Sequence, residues 1–444
     1  MSEKVTIAWG LRRILRDKVG DWCRPRVVFT TLTAVALVAP HALADEPMQR
    51  VTLEQALEMF EENSLELRLV AADRDRALGF ARQARAHPNP VVAFSHEGLS
   101  ESGRDYSESY VTLSQRLEWP GRRGARAETS DEEAAVLQSR LDAERRRLAF
   151  EVKRVFIEAA AAEERVGIVR DVRAVFRMAE ESGQERFREG DLSGYDVRRL
   201  RIERARYENL GASAEIDLNS ARLRLASLIL PDAPGIAPTA APEGAPPSEG
   251  ELEEKKAIVV ALERRAEMRS AEAQLAAANA SIRYLTTFTG PDVTVTGGYK
   301  RQSDGFNGFF VGVNVPLPTF DRRKGDLEAA EADARGALAR VDLTRRSIEN
   351  DVRRALVAYA SLSGRVSLIR NQLLSEVDDL LRIARVSYSE GEMSLLELLD
   401  AAEAFRESQI LRSRLSSEHW ISYYDLERAM GGVPVAATTG GTER

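Results

Sequence analysis

The chain has 444 residues, of which 30% are charged and only 6% aromatic, a long-helix or coiled-coil signature. Its net charge of −7 argues against nucleic acid as a partner. It contains no Walker loop, Gly-x-Ser-x-Gly elbow or dinucleotide fingerprint, so it does not read as an enzyme, and no catalytic or cofactor-binding residue is assigned.

At the N-terminus Arg12, Arg13, Arg16, Lys18, Arg24 and Arg26 precede an apolar stretch from Val27 to Ala39, and Ala42-Leu43-Ala44 follows as a small-x-small cleavage site. This predicts a signal peptide over 1–44, because the apolar stretch is too short to span a bilayer as a helix. Its removal leaves 56 basic and 67 acidic residues, a net charge of −11, and takes away Cys23, the single cysteine. No later segment offers about 18 consecutive apolar residues, the length of a membrane helix. An exported chain of this kind is either soluble in the periplasm or enters the outer membrane through β-strands.

The mature chain divides into two structural repeats, 45–230 and 251–430. In the first, Thr52–Ala86 reads as a helix opened by a Thr52/Gln55 capping box and closed by His87-Pro88-Asn89-Pro90. Strands are predicted over 91–97 and 110–119, a long helix over 122–187 that Gly190 breaks, and a returning helix over 195–230. Residues 231–250 hold six of the 16 prolines and are predicted to be a linker or loose peripheral segment. The second repeat copies the plan: a helix over 252–288, strands over 293–300 and 309–317, a long helix over 324–387, a turn at Gly391 and a helix over 395–430. A flexible tail is expected over 431–444.

Two landmarks carry the duplication. Phe187-Arg-Glu-Gly190-Asp-Leu-Ser and Tyr388-Ser-Glu-Gly391-Glu-Met-Ser have their glycines 201 residues apart. Pro120-Gly-Arg-Arg-Gly124 and Phe320-Asp-Arg-Arg-Lys-Gly325 repeat at nearly the same offset, and a shared offset implies two copies of one unit. Each long helix spans about 100 Å and each shorter one about 50 Å, so two short helices end to end match one long one. Val352, Tyr359, Val366, Leu373 and Leu380 recur every seven residues, with Ala355, Leu362, Ile369 and Ile383 at the other seam position, as a coiled coil requires.

The strands alternate. Phe309, Val311, Val313, Val315 and Leu317 fall on one face, against Phe310, Gly312 and Asn314. Val111, Leu113, Leu117 and Trp119 oppose Tyr110, Thr112, Ser114 and Arg116. One apolar and one polar face over nine or ten residues fits a membrane barrel, yet four strands per chain cannot close one, since the smallest barrels have about eight. A barrel therefore needs several chains.

On these residues the chain resembles the TolC-like outer-membrane efflux proteins: the duplicated helix, hairpin and long helix, the corners at Pro120 and Pro316/Pro318, and the turns at Gly190 and Gly391. Leu117-Glu-Trp-Pro-Gly-Arg-Arg-Gly-Ala-Arg126 is most similar to the heavy-metal, CzcC-like branch. The resemblance implies a mainly α fold with a small β part. It also implies a homotrimer with a twelve-stranded outer-membrane β-barrel on a twelve-helix periplasmic tunnel. The implied partners are a periplasmic adaptor (membrane fusion) protein, an inner-membrane RND-type pump and outer-membrane lipid. Divalent heavy-metal cations are the implied cargo.

The resemblance also places a periplasmic gate beside the tip turns. Glu397 and Asp400, six and nine residues beyond Gly391, match acids that narrow the family's entrance; three-fold repetition would make two rings of six carboxylates in all, which select cations. Asp196 matches an acid and Tyr388 a tyrosine of the family's latch. The latch arginine is replaced by Met393, and Arg199 is a candidate partner for Asp400 or Glu397 of a neighbouring helix. His87, His96 and His419 lack ligand spacing, so no metal site is assigned. The competing reading is an exported periplasmic coiled-coil adaptor or interaction protein, which would normally carry compact β-rich domains around one helical hairpin.

Overall fold

The computed structural model describes residues 49–230, 236–238, 246, 253–372 and 374–432. The signal peptide over 1–44, most of the segment 231–250 and the tail beyond Gly432 lie outside the described residues. In chain order the elements are β1 (Gln49–Val51), α1 (Leu53–Asn63), α2 (Leu65–Ala84), β2 (Val91–Glu101), β3 (Arg104–Leu117), α3 (Arg122–Glu189) and α4 (Gly194–Ile229). There follow β4 (Ile236–Pro238), α5 (Glu254–Arg264), α6 (Ala266–Thr286), β5 (Val293–Gln302), β6 (Asn307–Asn314), α7 (Lys324–Gln372), α8 (Leu374–Ser389) and α9 (Leu395–Ala429). The fold is mainly helical, with one four-stranded sheet and one short parallel pair.

α3 runs 68 residues, about 100 Å, and is the axis of the helical part. Near the sheet it lies between α2 and α6, with α7 beyond α6; toward Gly190 it lies between α4 and α9, with α8 beyond α9. The antiparallel sheet has the order β2-β3-β5-β6, the same order as α2-α3-α6-α7. The sheet therefore continues the helical slab, and both share the same two open edges: β2, α2 and α4 on one side, β6, α7 and α8 on the other.

Three features of the sequence reading are corrected. Thr52–Ala86 is not one helix: Thr52 and Gln55 do form the capping box, but Ser64 is extended (φ −60°, ψ 117°) and its hydroxyl caps a second helix through the Leu67 N–H. Arg265 breaks the matching helix of the second repeat with the same extended backbone (φ −69°, ψ 128°) but no side-chain cap. The periodicity passes through both positions, so only the backbone geometry reveals them. Second, the Pro-rich segment is not wholly loose. Ile236–Pro238 pairs in parallel with Gln49–Val51, and all three of its residues are buried, where Ile236 and Val51 join the core around Phe60, Phe156 and Leu426. Third, the strand expected to Leu317 ends at Asn314, because Pro316 and Pro318 have no N–H to give the ladder.

The seam heptad is also re-phased along its length. Val352, Ala355 and Tyr359 are buried. Farther down, α8 buries Leu381, Ala384 and Tyr388, while Leu380 and Ile383 face outward. Leu373 lies outside the described residues.

Candidate functional site

The sheet and the opposite tip of the slab hold the residues that would line or bound a pore. Cross-strand register sorts the sheet into rows. Phe94, Val111, Tyr299 and Phe309 are side by side on one face, with Tyr299 and Phe309 in ring contact at 5.2 Å. The row below on the same face is Val92, Leu113, Gly297 and Val311, and Leu117 lies beside Val293 farther down. The large apolar residues of β2, β3 and β6 on this face are all exposed, Phe309 at 89% and Val311 at 77%. The reverse face is polar: Ser114 and Thr296 share a hydrogen bond of 2.9 Å, and Lys300 reaches Glu108 at 2.8 Å. The sheet thus has one apolar face open to the surroundings and one face carrying hydrogen bonds and an ion pair.

The corner between sheet and helices is held by charge. Asp292, 8% exposed, accepts from Arg116 and Arg122 and from the Trp119 backbone N–H at 3.0 Å. Arg122 also donates to the Gly290 and Thr287 carbonyls at 2.7 and 2.9 Å. Its guanidinium lies 4.0 Å from the Phe288 ring centre, and that of Arg323 lies 3.8 Å from the same centre. Burial raises the Asp292 carboxyl, but the Arg116 hydrogen bond, the Trp119 N–H and the Arg122 charge outweigh it and hold the pKa below the ordinary carboxylate value. The Pro-Gly-Arg-Arg motif marked this corner in the sequence. Its two arginines part company: Arg122 is buried, while Arg123 is exposed beside His87; Arg126, beyond the motif, pairs with Glu118 and the Ala84 carbonyl.

At the other end the two tip turns share one motif. Gly190 and Gly391 both adopt positive φ (91° and 82°), the conformation that ends a helix and favours glycine. Ser193 and Ser394 then cap the returning helices, and Asp196 and Glu397 sit at the third helical position. Asp196 accepts from the Ser193 hydroxyl at 2.6 Å. Glu397 accepts from the Ser394 hydroxyl at 2.7 Å and its backbone N–H at 2.8 Å, closing a capping box. These two bonds hold the Glu397 carboxylate below its usual range. Asp400 is exposed one turn on and makes no ion pair among the described residues.

The remaining tip residues are divided between core and surface. Tyr388 is buried with Phe176, Leu200 and Leu398, and its hydroxyl has no hydrogen-bond partner among the described residues. Burial raises its pKa, with Arg186 opposing and Asp196 adding to the shift. Met393 packs on the same cluster, so the position where a latch arginine would stand contributes apolar contact. Arg199 is exposed, with its guanidinium 3.4 Å from the Tyr195 hydroxyl of its own helix. Arg186, which the sequence reading missed, donates to the Tyr388 carbonyl at 3.4 Å and joins the two tip turns. Gly183 was missed too: a Cβ there would lie 2.7 Å from Leu200 Cδ1, so α3 and α4 approach as closely as they do because it has none. Among the described residues no group of three or more His, Cys, Asp or Glu side chains is placed to hold a metal ion.

Residues 257–432 match the family described as outer membrane efflux protein. The cobalt-zinc-cadmium resistance protein CzcC of Cupriavidus metallidurans is 25% identical over 384 residues, 86% of this chain and 90% of that protein. The outer-membrane channel OprN has the same fold, with a TM-score of 0.70 at 19% identity, over 86% of this chain and 90% of that one. CusC, whose structures describe transmembrane channel formation, gives 0.70 at 18% identity over 87% and 93%. The matched second repeat, a relative aligned along nearly its whole length and the shared fold agree with one another: residues 257–432 carry the outer membrane efflux protein signature, and the chain has the fold of the TolC-like outer-membrane channels.

Proposed function

We propose that this chain is one of three identical protomers of a passive efflux duct, whose twelve strands close an outer-membrane barrel and whose helices close a periplasmic tunnel. The observation that carries the reading is the pair of matching open edges. β2 and β6 have no outer partner in the sheet, and α4 exposes Tyr195, Ile202, Ile216 and Leu223 at heptad spacing with Asn209 at the intervening position. A strand edge 11 residues long is a liability unless another strand covers it. A head-to-tail ring covers every such edge at once.

The cargo we assign is a divalent heavy-metal cation, delivered by an RND-type inner-membrane pump through a periplasmic adaptor. The support is the long alignment with the cobalt-zinc-cadmium resistance protein and the Leu117–Arg126 run. At the entrance Asp400 carries the selecting charge, while Glu397 is engaged in capping its own helix. Tyr388 and Met393 hold the closed tip through packing, Asp196 caps its own helix, and Arg199 is free to turn toward a neighbouring protomer. A deletion strain tests the cargo. It should become sensitive to cobalt, zinc or cadmium and be rescued by the wild-type gene; sensitivity to organic toxicants alone would refute the metal assignment. Asp400→Asn should lower cation selectivity of single channels, with Glu397→Gln the weaker of the two.

A further inference from the structure

The outer face of the sheet changes character abruptly at one register position. Directly beyond the row Phe94, Val111, Tyr299 and Phe309 lies the row His96, Ser109, Arg301 and Asn307, paired strand by strand across the whole sheet. All four side chains can donate hydrogen bonds, and they stand abreast over about 15 Å at ordinary strand spacing. His96 Nδ1 and Ser109 Oγ are 3.0 Å apart, which fixes the imidazole along the row. Arg301 is exposed and makes no ion pair among the described residues. The only lysine beside it in sequence, Lys300, points to the opposite face and is neutralised by Glu108. The next row outward is small, with Gly98 beside Ser107 and Ser303 next to Ser107 through a 2.9 Å hydrogen bond. The first acid on this face beyond it, Asp105, accepts from Ser100 at 2.7 Å.

The hairpin turns lie at this end and the helices at the other, so with the helices in the periplasm this end faces the outer leaflet. An aromatic row marks the edge of the hydrocarbon. A guanidinium one row beyond it stands at the depth of lipid headgroups, and its fork geometry matches phosphate. Resting on the barrel reading above, we propose that the row His96, Ser109, Arg301 and Asn307 is a binding site for the phosphate of a phosphorylated outer-leaflet glycolipid, with Arg301 as its anchor. The small residues above the row leave room for a sugar headgroup, and the apolar rows below receive the acyl chains. A ring of protomers would repeat the site around the barrel.

The test uses the full-length oligomer in detergent and reads bound lipid by native mass spectrometry. Lipid A, a bisphosphorylated acylated disaccharide, should bind, and Arg301→Ala should weaken it by at least about tenfold, the worth of one charge-assisted hydrogen bond. Arg301→Lys should restore part of the loss. Lys300→Gln, which removes an equal charge from the opposite face, should change nothing. Equal binding of fully dephosphorylated lipid A, of phosphatidylglycerol, or by Arg301→Ala would overturn the proposal, as would competition by millimolar inorganic phosphate. Conductance in a phospholipid-only planar bilayer separates the two readings. If wild type and Arg301→Ala conduct alike, the barrel stands whatever the lipid result; if neither conducts, the barrel reading fails by itself.

Discussion

Asp292 shows how one side chain can fix a corner between two kinds of structure. It draws β3, the start of α3 and the start of β5 together through Arg116, Trp119 and Arg122. Removing it leaves Arg122 buried without its carboxylate, so Asp292→Ala should cost about 3 kcal/mol, as broken buried pairs do, measured as a drop in the unfolding temperature of the detergent-solubilised protein. The sign of the pH dependence follows from the depressed pKa. The stability this group contributes is complete above its unfolded value of about 3.9 and is lost as pH falls through the folded value. The difference between wild type and Asp292→Asn should therefore be constant from neutral pH down to about 5 and shrink only below about 4. Gly290 belongs to the same corner. A Cβ there would fall within 2.0 to 2.5 Å of the Trp119 ring, so Gly290→Ala should displace the indole and cost about 1–3 kcal/mol by overpacking, visible as a shifted tryptophan emission.

At the scale of elements, each returning helix begins from a glycine turn, a serine cap and an acid three residues further on. Ser394→Ala removes the cap of α9 and should cost about 1 kcal/mol. The local signature is faster hydrogen exchange at Glu397, whose N–H loses its acceptor. This motif explains why counting from the glycines does not by itself assign a gate. Asp196 and Glu397 were identified from their distance beyond a glycine, and that same distance is the third position of a capped helix, where an acid serves the helix itself. Tyr388 was identified by the same counting, but its burial against Phe176 and Leu200 depends on α4, which arrives from the other repeat. The breaks at Ser64 and Arg265 left no mark on the apolar period, because each costs only one residue of helical backbone. The outward turn of Leu380 and Ile383 was likewise invisible: a heptad gives the period of a stripe, not the neighbour that covers it.

At the largest scale, the described residues from 49 to 432 form a slab with two uncovered sides. The exposed stripe on α4 is the simplest place to break an assembly without touching the fold, since Ile202 and Ile216 make no part of the protomer's core. The double variant Ile202→Glu, Ile216→Glu should keep its helical circular dichroism but run as a monomer where the wild type runs as a detergent-resistant oligomer; an unchanged oligomer would place the interface elsewhere. The sequence by itself determined the duplication, the helix and strand types, the tip turns and the two-faced strands, because period, glycine placement and proline placement act within a few residues along the chain. Only the tertiary structure decided that α and β order coincide across the slab, that Arg122 is a buried strut, that Met393 is apolar packing, and that His96, Ser109, Arg301 and Asn307 share a row. Those facts depend on which distant residues are brought side by side, and strand register and helix contact across some 200 positions leave no local trace in the chain.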